Sequence, residues 1–143
     1  KYEPCASKQT IANAMDVGDP SNFARIYDLF NGSYEQISAI MSGATYSDEQ
    51  IRKAMKACHD ATGYILDPHG ACGYEALKEQ LQPGEHGVFG ETAHPAKFKN
   101  VVEDAIGAEV QIPERLAAFM KGTKQSVEMS KEFDDFKAFL MKQ

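Results

Sequence analysis

Two short apolar runs, each broken by a turn and followed at once by a helical pattern, limit what this chain can fold into more than any other feature. The first is Gly63-Tyr64-Ile65-Leu66, which leads into Asp67-Pro68-His69-Gly70-Ala71. The second is Gly87-Val88-Phe89-Gly90, which leads into Glu91-Thr92-Ala93-His94-Pro95-Ala96-Lys97-Phe98. Both predict a strand whose carboxyl end meets a helix start, where unpaired N–H groups and small polar side chains converge on ligands. Strand, helix and strand of this length imply a parallel pair joined by a right-handed crossover. Two or three short strands beside about seven helical patterns do not make a whole sheet, because parallel strands need neighbours and cover on both faces. The expected class is therefore α/β: a helix-rich portion with few parallel strands and crossover helices, completing a larger sheet.

The rest of the chain divides around these joints. Residues 1–20 carry Pro4 and no period, and read as a lead-in. Residues 21–62 read as a helical part. Phe23, Ile26, Tyr27 and Phe30 share one helical face, with Asp19 or Ser21 as cap and Asn31-Gly32 as stop. Ser33 with Gln36, and Ser47 with Gln50, have the spacing of capping boxes that open two further helices. Ile51, Met55, Cys58 and Ala61 predict the buried face of the second, and Gly63 its left-handed cap. Residues 63–107 form the strand-helix-strand-helix core, with helices from Pro68 to about Leu81 and from Pro95 to Ile106. Residues 108–143 add C-terminal helices, starting at Pro113 and at about Ser130. With no repeat or linker, residues 1–143 read as a single segment.

A chain of 143 residues is long enough to bury about 70% of its unfolded surface, so a real core is expected. The net charge of −6 gives no electrostatic footprint for nucleic acid. No apolar run approaches the roughly 20 residues of a membrane span, and Lys1-Tyr2-Glu3-Pro4 lacks a signal peptide's apolar centre. A cytoplasmic protein with no nucleic-acid or membrane partner is expected. Cys5, Cys58 and Cys72 lack the paired spacing of a zinc or disulfide framework and are expected reduced.

His69 and His94 occupy equivalent places after the two runs, and with Asp67 and Glu91 are candidates for metal ligation or acid–base work. Their spacing matches no metal motif, so no metal is expected. Cys72 near a helix start is a conceivable nucleophile with either His as base, although packing explains it without chemistry. Gly70-Ala71-Cys72-Gly73 is too unlike a phosphate loop to be one, and suits close packing. Thr92 stands between two readings: it either caps the helix that follows or offers a hydrogen bond to a ligand's ring nitrogen.

The runs through Asp67-Pro68-His69-Gly70-Ala71 and Glu91-Thr92-Ala93-His94-Pro95-Ala96-Lys97-Phe98 closely resemble the C-terminal third of threonine synthase of the bacterial and fungal type. Asn13-Ala14-Met15-Asp16-Val17 with Pro20-Ser21-Asn22-Phe23 resembles the family upstream, and Ile112-Pro113-Glu114-Arg115-Leu116 downstream. The resemblance implies a fold-type II, tryptophan-synthase-like lyase dependent on pyridoxal 5'-phosphate. Such an enzyme converts O-phospho-L-homoserine and water to L-threonine and phosphate. It further implies that Thr92 is the cofactor-binding residue, bonded to the pyridine nitrogen.

The family's Schiff-base lysine and Gly-rich phosphate loop have no match here, which implies a C-terminal fragment, with no catalytic residue of its own. Alone it is expected to be inactive and without bound cofactor, its partner being the remainder of the polypeptide. Cys72, Gly90 and Ala24 depart from the family's common residues as packing or surface changes. Two other readings remain open: a different pyridoxal-phosphate lyase of this fold, and a non-catalytic binding or regulatory module.

Overall fold

A computed structural model describes residues 3–14 and 17–142, so that Lys1, Tyr2 and Gln143, and Met15 and Asp16 of the upstream motif, lie outside the described residues. The chain divides into two compact units, Lys1–Gln111 and Ile112–Gln143. The first holds α1 (Phe23–Leu29), α2 (Tyr34–Ile40), α3 (Asp48–Thr62), α4 (Pro68–Gln80), a 3-10 segment (Pro95–Phe98) and α5 (Lys99–Ile106). The second holds α6 (Glu114–Met120) and α7 (Phe133–Leu140).

Local chemistry accounts for most of these boundaries. Ser47 Oγ accepts from Gln50 N–H at 3.3 Å while Gln50 Oε1 accepts from Ser47 N–H at 2.9 Å, a complete capping box that starts α3. Gly63 ends the helix at φ 74°, a left-handed position that costs glycine least. Ser47→Ala is expected to destabilise the first unit by about 1 kcal/mol, read as a lower urea midpoint at unchanged slope. Ser33 caps α2 as expected, by accepting from Gln36 N–H. The cap position of α1 falls to Asn22, without a side-chain bond, and not to Asp19 or Ser21.

The core lies where α3 packs on α4 and α5. Ile51, Ala54, Met55 and Cys58 come from α3, Leu66 and Ala71 from the first joint and α4, and Val102 and Ile106 from α5. Ala61, expected on the α3 face, is exposed and Ala54 is buried instead. At about 100° per residue Ala61 falls at the margin of the stripe. The turn after α5 is pinned by Glu103, which accepts from Val110 N–H at 2.9 Å and pairs with Lys99. In the second unit Phe133, Phe136 and Leu140 form the amphipathic stripe of α7 and are 72%, 47% and 51% exposed.

The helix-rich class is as expected, but neither apolar run forms a ladder: among the described residues there is no strand. A strand exists only when its N–H and C=O groups meet a neighbour's. Here the two runs do not pair, and Val88 is 96% exposed. A side chain joins them instead.

Candidate functional site

The first joint is built by Asp67 and Pro68. Proline suits the first helical position, where its missing N–H is no loss, and Asp67 closes the helix end. Its Oδ1 accepts from His69 N–H at 2.8 Å and lies 3.1 Å from His69 Nδ1. The Asp67 side chain is completely buried, the single buried polar residue among those described.

The second joint reaches back to the first through Glu91. Glu91 Oε1 accepts from Asp67 N–H at 2.8 Å, a contact between residues 24 apart in sequence. The carboxyl occupies the space over Gly70, where an added Cβ would stand 1.9 Å from Glu91 Oε2. Glycine at this place is therefore a close-approach residue. Asp67 Oδ2 and Glu91 Oε2 are both buried without a hydrogen-bond donor among the described residues. Burial, with the Asp67 carboxyl as neighbour, pushes the Glu91 carboxyl up from the ordinary 4.5 to about 7.

The structure separates the two readings of Thr92. Its side chain is exposed, and its hydroxyl makes no hydrogen bond to the described residues. The cap of the 3-10 segment is His94, whose Nδ1 accepts from Ala96 N–H at 3.1 Å. The capping role thus belongs to His94, and the Thr92 hydroxyl is left with a donor and an acceptor to offer.

Of the other candidates, His69 joins the Asp67–Glu91 cluster, with its ring 5.3 Å from that of Phe98. Cys72 is a poor nucleophile: burial pushes its thiol up, and Sγ points at Pro68 C=O, 3.4 Å away. Among the described residues no three His, Cys, Asp or Glu side chains are grouped to hold a metal ion. No helix among them is long and apolar enough to cross a membrane. Sequence reasoning named Asp67 and Glu91 but missed their mutual contact; the available signal was Gly70, three residues into a helix start with no turn to explain it.

The family model for the C-terminal part of threonine synthase matches residues 70–140. A threonine synthase from Serratia marcescens is 39% identical over 99% of this chain, which corresponds to 32% of that protein. The chain therefore spans about a third of the length of the curated relatives it matches. The crystal structure of threonine synthase from Escherichia coli superposes with a TM-score of 0.78 at 35% identity, covering 99% of this chain and 33% of that one. A pyridoxal-phosphate-bound threonine synthase from Brucella melitensis gives a TM-score of 0.66 at 24% identity over 97% of this chain and 35% of its own, a likeness of fold.

Proposed function

Since the chain belongs to the threonine synthase family and matches its C-terminal part, we propose that it completes an enzyme converting O-phospho-L-homoserine and water to L-threonine and phosphate. The observation that carries this reading is likeness to threonine synthases along almost the whole chain. The cofactor proposed is pyridoxal 5'-phosphate, which supplies an electron sink when bound.

One contact to that group fits the residues present. Thr92 has an exposed hydroxyl without a partner among the described residues, at the joint where α/β enzymes collect ligands. We assign it a hydrogen bond to the pyridine nitrogen. A neutral hydroxyl does not force that nitrogen to hold a proton, so Thr92 moderates the sink while fixing the ring's orientation. The lysine and the phosphate-binding loop are assigned to the preceding part of the polypeptide. This chain therefore acts as one C-terminal segment of a cytoplasmic biosynthetic enzyme.

The test is phosphate release and threonine formation from O-phospho-L-homoserine by the full-length protein and by the 143-residue chain, each with and without the cofactor. Cofactor-dependent turnover by the full-length protein alone is expected. A folded, cofactor-loaded full-length protein that releases no threonine would point to another lyase of this fold. Turnover by the 143-residue chain would refute the assignment of the lysine elsewhere.

A further inference from the structure

We infer that Glu91 is a positioning residue for Thr92: its carboxyl, seated over Gly70 and sharing a proton with the Asp67 carboxyl, sets the direction in which the Thr92 hydroxyl is presented. The inference rests on the Thr92 reading above, and deepens it.

The turn that carries Thr92 has little else to hold it. Between residues 86 and 93 no backbone–backbone hydrogen bond is made to the described residues. Upstream, Phe89 packs edge-on against Tyr74 at 5.8 Å, while Val88 projects outward. Downstream, the next anchored residue is His94. Glu91, adjacent to Thr92, is thus the polar tether that ties this turn to the rigid start of α4.

The shared proton follows from the contents of the site. Two buried carboxyl oxygens, Asp67 Oδ2 and Glu91 Oε2, have no donor among the described residues. Charging both groups would leave two anions with no lysine or arginine of the described residues beside them, an unfavourable arrangement for buried oxygens. A proton retained by the pair removes one of the two charges and gives the site a donor. From α4 the pair is faced by His69, with Nδ1 3.1 Å from Asp67 Oδ1, and by the Cys72 thiol, which the Asp67 charge raises further. From the 3-10 segment the group against His69 is the Phe98 ring, over which Lys97 Nζ lies at 5.6 Å. No lysine or arginine among the described residues pairs with either carboxyl. The elevated Glu91 value, about 7, agrees with a proton retained into the neutral range.

The experiment uses the full-length protein loaded with pyridoxal 5'-phosphate labelled with 15N in its ring, and reads the ring-nitrogen shift from about pH 5 to about pH 8. In the wild type the shift should move through a transition near 7, as the shared proton is lost. Glu91→Gln keeps an acceptor for Asp67 N–H and a donor for Asp67 Oδ2, but has no proton to lose. It should hold the ring nitrogen at its low-pH shift throughout and keep cofactor affinity. Glu91→Ala should move the shift toward that of Thr92→Ala and weaken cofactor binding about tenfold, the loss of roughly one hydrogen bond's worth of positioning.

A folded Glu91→Ala protein with the wild-type shift and transition would overturn the inference. Should Glu91→Ala not fold, Glu91→Gln decides the matter alone, because an unchanged transition in it shows that the proton is not Glu91's. A wild-type shift in Thr92→Ala would instead sink the Thr92 reading, so the two failures are distinguishable.

Discussion

Replacing Leu66 by alanine is expected to remove about 2–5 kcal/mol of folding stability, which is a large fraction of the roughly 5–15 kcal/mol of an ordinary domain. Leu66 is 0% exposed and lies in the core formed by α3, α4 and α5. Truncation removes apolar surface from a site whose neighbours belong to three helices, and rigid helices do not close over the cavity. It also precedes Asp67 directly, so loosening it frees the cap of α4 and the anchor of Glu91. The control is Val88→Ala, in a run of the same apolar character. Val88 is 96% exposed, and its truncation is expected to stay within about 0.5 kcal/mol. Urea unfolding of both variants checks the pair of values. Equal effects would mean that the two runs are buried alike, contrary to the structure described above.

The second large effect is one of pH. The Glu91 carboxyl binds its proton more tightly in the folded state, where it titrates at about 7, than in the unfolded chain, where the ordinary 4.5 applies. The folded state is therefore the better proton acceptor between these values. The stabilisation that Glu91 contributes is complete below about 4.5, and is lost as pH rises through about 7. Burial is the main cause, and the Asp67 carboxyl adds to it. Glu49 and Glu103 behave in the opposite sense. Hydrogen bonds from Lys53 and from Lys99 lower their values, so what they contribute is present above 4.5 and disappears as pH falls through their lowered values.

A stability profile should accordingly decline from about pH 4.5 toward about 7, in a window that those two glutamates leave untouched. Asp67→Asn should flatten the decline, because the neutral amide takes away the neighbouring negative charge while still offering an oxygen to His69 N–H. A decline of unchanged depth in Asp67→Asn would show that the Asp67 charge does not act on Glu91.

Much of this protein was legible before any coordinates, and the legible parts have one physical property in common. The capping box at Ser47 and Gln50, the left-handed Gly63, the Asp67-Pro68 start of α4 and the face of Ile51, Met55 and Cys58 depend on residues within one or two turns of each other. Their energetics are decided by local geometry, which sequence spacing states directly. The family resemblance was legible for a different reason, since a run as long as Glu91 to Phe98 is specific in itself.

What sequence spacing left undecided was whatever depends on which surfaces meet. The runs at 64–66 and 87–90 have strand character, yet a strand is a property of two neighbours, and within this chain the two runs do not pair. Thr92 carried the chemistry of a cap; only the placement of Ala96 N–H against His94 Nδ1 gave that role to His94 and left Thr92 open. The contact between Asp67 and Glu91 spans 24 residues, and no local rule brings the Glu91 carboxyl to the Asp67 N–H. Sequence by itself determined most of the helices, the ends that local caps fix, and the family. Tertiary structure alone decided that the Glu91 carboxyl sits over Gly70 beside the buried Asp67, because packing against the start of α4, and not proximity along the chain, buries those oxygens.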